Sequence, residues 1–302
     1  MRILILSRNP ALYSTQSLVR ASYRRGHQIR VVDHMMCDLE VASGNLQVYY
    51  RGEVLDGFDA VIPRIGSSVT AMGTNVIRQF EMKNVFTATR SESILKARNK
   101  WRCYQILAAN NIPIPKSILP NFIELNESLI KSNFNTPLVV KLLESTHGLG
   151  VILSETYTNA ISTIEAFYRL KEKAMLQEFV KESKGVDIRV LIVDGQVVAS
   201  MRRQAVNGEF RSNLHRGATA SVVHLSEEEI FLARKASELM DLDIAGVDIL
   251  RSNAGPLILE VNSSPGLEGI ETVTGIDVAG DIIRFVERGV RKRKKLARKA
   301  KL

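Results

Sequence analysis

The sequence contains few cysteines, few aromatic residues and no long hydrophobic run. Its two cysteines, Cys37 and Cys103, form no CxxC pair and cannot build a disulfide framework, which favours a reducing compartment. The apolar run near the N-terminus ends after four residues, whereas a signal peptide needs roughly seven to fifteen. Because no segment approaches the roughly 18 apolar residues of a membrane span, we expect a cytoplasmic protein without membrane contacts.

What the sequence does contain is the composition of a globular protein, with 302 residues, 45% of them hydrophobic and 24% charged. The formal net charge is +9, and residues 284–302 account for all of it with ten basic side chains and one acidic side chain. The rest of the chain is therefore neutral. The basic segment has two interpretations, a solvated extension or an arm that binds RNA, a ribosome or an acidic polypeptide.

Short apolar runs alternate with helical patterns at the start of the chain, which predicts a small parallel α/β layer. The predicted elements are strands at 2–6, 28–32 and 58–62, a hairpin strand at 46–50 and a helix at 16–25. Residues 93–110 are predicted to form one helix, with a domain boundary near its start. Farther on, Asp194-Gly195 predicts a tight hairpin, and Ser226 is the expected N-cap of a helix over 227–240.

The most informative segment is residues 245–262, where two apolar runs flank Asn253-Ala254-Gly255. A three-residue turn there predicts that Asp248 lies opposite Glu260, with their Cβ atoms about 5 Å apart. Asn262 follows two residues later and shares the face of Glu260. Facing carboxylates destabilise a sheet unless a cation lies between them. The pattern therefore predicts a Mg²⁺ site whose oxygen ligands are completed by water and substrate phosphates.

The facing acids have another interpretation besides a Mg²⁺ site, and a different metal can also be compared with the sequence. The acids could instead lie at a surface rim and be neutralised by arginines such as Arg251. A zinc site is not supported, because the five histidines have no metal-ligand spacing. The positions between the polar residues are predicted to point into the core: Val247, Ile249, Leu259 and Val261.

The sequence has no P-loop and no complete GxGxxG motif. Lys141 ends a predicted strand over 137–142, where its burial would be unfavourable without an anion. The loop 145–150 contains two glycines and could bring backbone amides onto a phosphate, although such a sequence is more often a hairpin turn. Backbone groups of 177–180 could bind an adenine edge, and the polar loop 211–217 suits phosphate or plain solvation.

In their joint order and spacing, several motifs resemble those of the ATP-grasp ligases, and most closely of the RimK-type alpha-L-glutamate ligases. They are Lys141 with STHGLG, then QEFV, DIRV, RRQAVNGEFRSNLHRGA, AGVDIL and LEVNSSPGLEGIE, with ILSR and VIPRIG before them and GIDVAG after them. The resemblance implies a fold of the α/β and α+β classes. Its expected parts are a pre-ATP-grasp parallel α/β domain (1–95), an ATP-grasp N-terminal subdomain with a lid (96–182), a C-terminal subdomain with the metal site (183–288) and the basic tail (289–302).

The resemblance also implies roles for individual residues. The residues expected to bind ATP are Lys100, Lys141, Glu178, Phe179, Asp187, Arg211, Ser212 and Asn213. Two Mg²⁺ or Mn²⁺ ions are expected at Asp248, Glu260 and Asn262. The candidates for stabilising an acylphosphate are Arg189, Arg203 and Arg216, each of which could instead form a local salt bridge, and Arg64 is a candidate contact for the acceptor. The sequence departs from the family at Ala218 and Ser263, and neither change removes a charged group.

The implied reaction is ATP-dependent addition of L-glutamate, through an acylphosphate, to the C-terminal carboxylate of a small-subunit ribosomal protein or of a poly-glutamate chain. A first alternative is a glutamate ligase that acts on a cofactor or an amino-group carrier protein. A second is a ribosome-associated or RNA-associated binding protein with an inactive ATP-grasp body. The resemblance further suggests a homo-oligomer, with a tetramer as one candidate.

Overall fold

The computed structural model describes residues 1–121, 127–143, 150–206, 209–212, 214 and 217–299. Its β-strands are β1 (Arg2–Leu6), β2 (Gln28–Val32), β3 (Cys37–Ala42), β4 (Asn45–Tyr50), β5 (Glu53–Val54), β6 (Ala60–Pro63), β7 (Phe86–Thr87), β8 (Ser117–Ile118), β9 (Leu138–Leu142), β10 (Val151–Ser154), β11 (Ala174–Glu178), β12 (Val186–Val193), β13 (Gln196–Gln204), β14 (Thr219–Val222), β15 (Ile244–Ser252) and β16 (Gly255–Asn262). Its α-helices are α1 (Tyr13–Arg24), α2 (Thr70–Met82), α3 (Ser91–Arg98), α4 (Lys100–Ala109), α5 (Glu127–Asn133), α6 (Tyr157–Arg169), α7 (Glu227–Leu239), α8 (Glu268–Thr274) and α9 (Val278–Lys299).

The N-terminal part is built on a parallel sheet, as the sequence predicted, and the strand order is β2-β1-β6-β7. Successive side chains of β1 point to opposite faces. Ile3 and Ile5 therefore pack towards α1 and α9, whereas Leu4 and Leu6 pack towards α2. The predicted strand at 46–50 is also present, as β4 of a small antiparallel sheet with β3 and β5.

The single helix predicted for residues 93–110 is wrong, because the chain forms two helices that separate at Asn99. The backbone of Asn99 is extended, and its side chain accepts a hydrogen bond of 2.9 Å from the backbone N–H of Arg102. An asparagine that caps a new helix in this way competes with continuation of the previous one. The break leaves Arg98 and Lys100 on either side of the junction.

Two antiparallel sheets follow, with the orders β10-β9-β11-β8 and β14-β13-β12-β15-β16. The predicted Asp194-Gly195 turn joins β12 to β13, and both of its residues have positive φ, at 53° and 70°. Ser226 forms the expected N-cap of α7 as part of a capping box with Glu229. One hydrophobic core contains side chains from the parallel sheet, α9 and the larger antiparallel sheet.

The β15–β16 hairpin corrects two details of the prediction. Ser252 pairs with Gly255, so the turn has two residues and not three. A bulge follows, because Asp248 pairs with Glu260 whereas Ile249 pairs with Ile258. The extra residue, Leu259, changes the alternation of the strand. Ile258 is consequently fully buried, and Leu259, predicted for the core, is only half-buried.

Helix α9 continues across residue 288, where the tail was predicted to begin, and its first half packs on the parallel sheet. Val290 is buried, Arg293 donates a hydrogen bond of 2.8 Å to the carbonyl of Val85, and Lys294 lies 2.7 Å from Asp59. Beyond that point the side chains are exposed, Leu296 by 60%. Among the residues that the structure describes, no helix is both long enough and apolar enough to cross a bilayer.

Candidate active site

Asp248 and Glu260 lie directly opposite each other on β15 and β16, and Asn262 follows on the same strand. On the other side of β15, Arg189 of β12 pairs with Asp248. Arg203 of β13 pairs with Asp187 of β12, two residues before Arg189. Four adjacent strands thus contribute to one polar patch. Asp248 is almost fully buried, with 3% of its surface exposed, whereas Glu260 is half-buried.

Asp248 is held by two arginines. Both Nε and Nη2 of Arg189 donate to its carboxylate, the Nη2 at 2.6 Å, and Arg203 Nη2 donates to it at 2.8 Å. Arg203 also binds Asp187 through two hydrogen bonds of 2.6 Å. Burial raises the pKa of Asp248, but the two guanidiniums outweigh it and hold that pKa below its usual range. Asp248 is therefore a permanent anion at neutral pH.

These side chains suit a hard cation whose remaining ligands come from a phosphate. A carboxylate has about four acceptor positions, and three N–H groups occupy positions on Asp248, which leaves room for single-oxygen coordination. The Asn262 amide donates to the carbonyl of Gly246 at 3.3 Å, so its own carbonyl oxygen can serve as a ligand. Within the described part of the chain, no three His, Cys, Asp or Glu side chains form a metal-binding group. Phosphates and water would have to complete the shell.

Lys141 is anchored by a chain of hydrogen bonds that sequence analysis missed. Its ammonium lies 2.5 Å from Gln177 Oε1, and Gln177 Nε2 lies 2.9 Å from both Tyr104 Oη and Ser117 Oγ. The Tyr104 hydroxyl in turn donates to the carbonyl of Leu259, at 2.7 Å. The sequence signal was weak: Gln177 is a glutamine in strand β11, and only the fold reveals that it is buried. These hydrogen bonds connect the sheet that contains Lys141 to the β15–β16 hairpin.

The ammonium of Lys141 is close enough to the acids to interact with them electrostatically. Burial, with a smaller effect of Lys100, lowers its pKa to about 8 against the opposing effects of Glu260 and Asp248. Lys100 itself donates to the carbonyl of Leu143 at 3.2 Å. The structure thus brings two predicted phosphate-binding lysines and the predicted metal ligands into one region.

The predicted adenine-binding segment lies at the end of β11. Glu178 exchanges two hydrogen bonds with the backbone of Lys116, of 2.7 and 2.9 Å. The ring of Phe179 meets that of Phe210 edge to face, with 6.3 Å between their centroids. A cavity of about 450 Å³ opens here, lined by Phe134, Glu178, Phe179, Lys181 and Asn253 among others. Its aromatic wall and strand-edge backbone suit a planar base.

The loop after β13 bridges the two antiparallel sheets. Arg211 forms an ion pair with Glu209 and donates to the carbonyl of Val151 on β10, at 3.2 Å. Ser212 is buried and hydrogen-bonds Asp187. Asp187 therefore contacts Arg203 and Ser212, and its predicted place near the ribose stays a prediction. Asn213, Arg216 and residues 145–149 of the loop predicted over 145–150 lie outside the described residues.

Comparison with known proteins identifies the family. The model of the RimK PreATP-grasp domain matches residues 1–94, and that of the RimK-like ATP-grasp domain matches residues 97–286. The chain belongs to the RimK-like ATP-grasp family. It is therefore an ATP-grasp ligase, which confirms the family, the fold class and the enzyme class predicted from the sequence.

Relatives within the RimK-like family are close. A "Probable alpha-L-glutamate ligase" of Syntrophotalea carbinolica is 52% identical, over 95% of this chain and 96% of its own. A protein with the same name from Hydrogenovibrio crunogenus is 48% identical, over 96% of this chain and 97% of its own.

Solved structures share the fold at low sequence identity. A RimK domain ATP-grasp protein of Sphaerobacter thermophilus has a TM-score of 0.72 and 18% identity, over 94% of this chain and 99% of that one. The ATP-grasp ligase PsnB, solved with a minimal precursor, Mg and ADP, has a TM-score of 0.73 and 18% identity, over 96% of this chain and 98% of its own.

Proposed function

We propose that this RimK-like protein adds L-glutamate to the C-terminal carboxylate of a small-subunit ribosomal protein or of a poly-glutamate chain, with ATP as the energy source. The relatives at about half identity carry the name of alpha-L-glutamate ligases, which supports glutamate as the amine substrate. The proposal extends to two Mg²⁺ or Mn²⁺ ions at Asp248, Glu260 and Asn262. A PsnB structure that contains Mg and ADP supports a metal–nucleotide site in this fold.

In the first step, a carboxylate oxygen of the acceptor attacks the γ-phosphorus of ATP, the bond to the β-phosphate oxygen breaks, and acylphosphate and ADP form. Metal ions supply neutralisation of the phosphate charge when bound. Lys141, held by Gln177, adds a fixed positive charge at the phosphates, and Lys100 adds a second. Arg189 and Arg203 keep Asp248 oriented and ionised, so their contribution is to position that ligand.

In the second step, the α-amine of glutamate attacks the acyl carbon and expels inorganic phosphate, with loss of one proton from nitrogen. The acylphosphate supplies the leaving group that a free carboxylate lacks. The oxyanion that develops needs a nearby cation, and the predicted candidates are Arg189, Arg203 and Arg216. The first two already form ion pairs with Asp248 and Asp187. A water-poor cleft between the two antiparallel sheets would limit hydrolysis of the intermediate.

One observation carries the proposal. A half-buried lysine of one antiparallel sheet lies within electrostatic range of a facing carboxylate pair of the other. Partial removal of all three charges from water is unfavourable for a binding module that lacks a polyphosphate ligand, because each charge loses hydration. It suits a site in which metal ions and phosphates occupy the space between them.

The test is a ligation assay. Purified protein is incubated with ATP, Mg²⁺, glutamate and either a ribosomal-protein C-terminal peptide, a pterin or deazaflavin cofactor, or an amino-group carrier protein, and the products are weighed by mass spectrometry. We expect glutamyl addition to the peptide, with ADP formed in equal amount, and no addition by Glu260→Gln. Addition only to a cofactor or a carrier would replace the proposed acceptor. Absence of glutamate-dependent ADP formation with every acceptor would indicate an inactive body.

The proposed assembly is a homo-oligomer, with a tetramer as the first candidate from family resemblance. Sedimentation velocity of the purified chain tests it directly. A single species at the monomer mass of 33.7 kDa across micromolar concentrations would contradict it.

A further inference from the structure

Two arginines from different parts of the N-terminal half converge beside the proposed metal site. Arg64 directly follows β6, and Arg98 is the last residue of α3. Arg64 Nη2 donates to the carbonyl of Pro265 at 2.7 Å, and Arg98 donates to the carbonyl of Ile65. Pro265 lies three residues after Asn262, so the Arg64 guanidinium reaches the segment that leaves the β15–β16 hairpin, while the Arg98 guanidinium contacts the residue that follows Arg64.

Neither guanidinium is neutralised by a carboxylate within the described ranges. No Asp or Glu oxygen there lies within 4 Å of either one, although both arginines are half-buried, and the Arg98 Nε is buried without a hydrogen-bond partner. Burial lowers the pKa of Arg64 to about 10, with a further contribution from Arg98. Burial also lowers the pKa of Arg98, against the attraction of Glu260. Two like charges in this environment are unfavourable unless an anion joins them.

The segment between Asn262 and Pro265 has unmet hydrogen-bonding capacity as well. The hydroxyls of Ser263 and Ser264 are buried without a partner, and Ser263 is only 4% exposed. Buried polar groups in native proteins nearly always have a protein, water or ligand partner. Two unpaired hydroxyls beside the carbonyl that accepts from Arg64, and an unpaired N–H on the Arg98 that contacts Ile65, therefore point to a polar ligand with several acceptor oxygens.

We propose that Arg64 and Arg98 bind the carboxylates of the acceptor, an acidic peptide with a free C-terminus, and hold the terminal one next to Glu260 and Lys141. This inference rests on the proposed function. Paired guanidiniums match carboxylates with two parallel N–H···O bonds each, which gives both affinity and orientation. The last residue of a poly-glutamate chain offers two carboxylates, one for each arginine.

The charge of the site favours the acceptor over the free glutamate substrate. Free glutamate also has two carboxylates, but it carries an ammonium group as well. Four cationic side chains would repel that ammonium, and Glu260 is the acid that interacts with them: Arg64, Arg98, Lys100 and Lys141. The α-nitrogen of the last residue of a peptide is an uncharged amide. Like-charge repulsion therefore selects the peptide terminus for this position.

Calorimetric binding of a pentaglutamate peptide tests the inference without the need for turnover. The full-length protein is titrated in the presence of Mg²⁺ and a non-hydrolysable ATP analogue, as wild type, Arg64→Gln and Arg98→Gln. We expect each variant to bind the peptide at least tenfold more weakly, with the affinity for the ATP analogue unchanged. A pentaglutamate peptide with an amidated C-terminus should bind the wild type more weakly than the free acid does. Either substitution should reduce the affinity of the amidated peptide by a smaller factor. Arg78→Gln, which removes an exposed arginine paired with Glu92, is the matched control and should bind as wild type.

Loss of an arginine beside the core could disturb folding, so Arg64→Lys and Arg98→Lys provide a second measurement. Each keeps a positive charge without the two-pronged geometry, and we expect intermediate affinity. Unchanged peptide affinity in both glutamine variants would overturn the inference, as would a loss confined to free glutamate. No peptide binding by the wild type would overturn it even where ATP is consumed. Binding that depends on both arginines, without glutamate transfer to any acceptor, would support the inference and refute the proposed function.

Discussion

The ammonium of Lys141 lies 2.5 Å from the side-chain carbonyl of Gln177, and that glutamine fixes the lysine to a third element through Tyr104. The Tyr104 hydroxyl continues the connection to the backbone of Leu259, one residue before Glu260. Helix α4 and strands β9, β11 and β16 are thereby joined through three hydrogen bonds. The orientation of Lys141, the proposed phosphate-binding lysine, and that of the β15–β16 hairpin, the proposed metal site, are coupled by these hydrogen bonds.

The first prediction concerns Gln177→Met, which keeps the side-chain volume and removes the acceptor for Lys141. A hydrogen bond to a charged group contributes about 1.5–3 kcal/mol, so we expect the KM for ATP to rise about tenfold or more. Ser117→Ala is the control, because it removes another partner of Gln177 and leaves the contact with Lys141. Steady-state kinetics with varied ATP measure both. An equal effect of the two substitutions would contradict a specific role for the Lys141 contact.

The second prediction separates the two facing acids. Glu260→Gln should abolish ADP formation with little change in melting temperature, because Glu260 is half-buried and outside the ion pairs of the described residues. Asp248→Ala should also abolish ADP formation, but it leaves Arg189 and Arg203 without their shared carboxylate. Loss of one member of a buried ion pair costs about 3–5 kcal/mol, so its melting temperature should fall by several degrees.

Calorimetric melting and an ADP assay on the same preparations measure this difference. Asp248→Asn is the matched variant, since it keeps the shape of the side chain and part of its hydrogen bonding. We expect it to melt between wild type and Asp248→Ala. Turnover near the wild-type rate in Glu260→Gln would remove the metal site as proposed, whatever the stability of the variants.

The facing acids show which features of the hairpin could be predicted from the sequence and which could not. The pairing of Asp248 with Glu260 was predicted from a three-residue turn, and it occurs with a two-residue turn because a bulge at Leu259 compensates. Alternation and turn chemistry are local properties and can be read from a sequence. A bulge depends on packing against the rest of the sheet, so its position was not predictable, and neither was the exchange of Ile258 for Leu259 in the core.

The positioning residues were harder to find than the residues they hold. Lys141 was identified because a lysine in an apolar strand is unusual, and the family resemblance assigned it to phosphate. Gln177 and Tyr104 carry no such signal, because their role follows from contacts between elements 73 residues apart. Arg98 lay within a predicted continuous helix, and the helix break that follows it at Asn99 was not predicted. Long-range convergence of this kind is a property of the fold.

The third prediction is a pH dependence of stability. The bidentate contact with Arg25 lowers the pKa of Glu287 to about 2 against the effect of burial, and His27 contributes further. Because the folded pKa is below the unfolded one, this stabilisation is present above about pH 4.5 and is lost as the pH falls towards 2. At about 1.4 kcal/mol per pKa unit, it amounts to at most about 3.5 kcal/mol.

Urea unfolding of wild type and Glu287→Gln between pH 7 and pH 3 measures this effect. We expect a large difference in the free energy of unfolding at pH 7 that narrows as the pH falls. Glu53→Gln is the control, since its ion pair with Arg30 is exposed to solvent and should give no comparable slope. A pH-independent difference between wild type and Glu287→Gln would mean that the contact acts through packing alone.

The fourth prediction concerns the basic end of α9. Val290, Arg293 and Lys294 contact the body of the protein, so removal of residues 295–302 spares the docked part of the helix and deletes four basic side chains. If this segment binds a polyanion, RNA affinity should fall in the truncated protein, mainly at low salt. Removal of a single lysine–phosphate or arginine–phosphate interaction reduces the slope of log affinity against log salt by roughly 0.7–0.9, so the slope should fall by up to about 3. The melting temperature should not change.

Filter binding of a ribosomal RNA fragment at several salt concentrations measures the slope. A full-length variant with four basic residues changed to glutamine should show the same reduced slope as the truncation if charge and not helix length is responsible; these residues are Lys295, Arg298, Lys299 and Lys301. Identical salt slopes for wild type and truncation would leave the segment as a solvated extension.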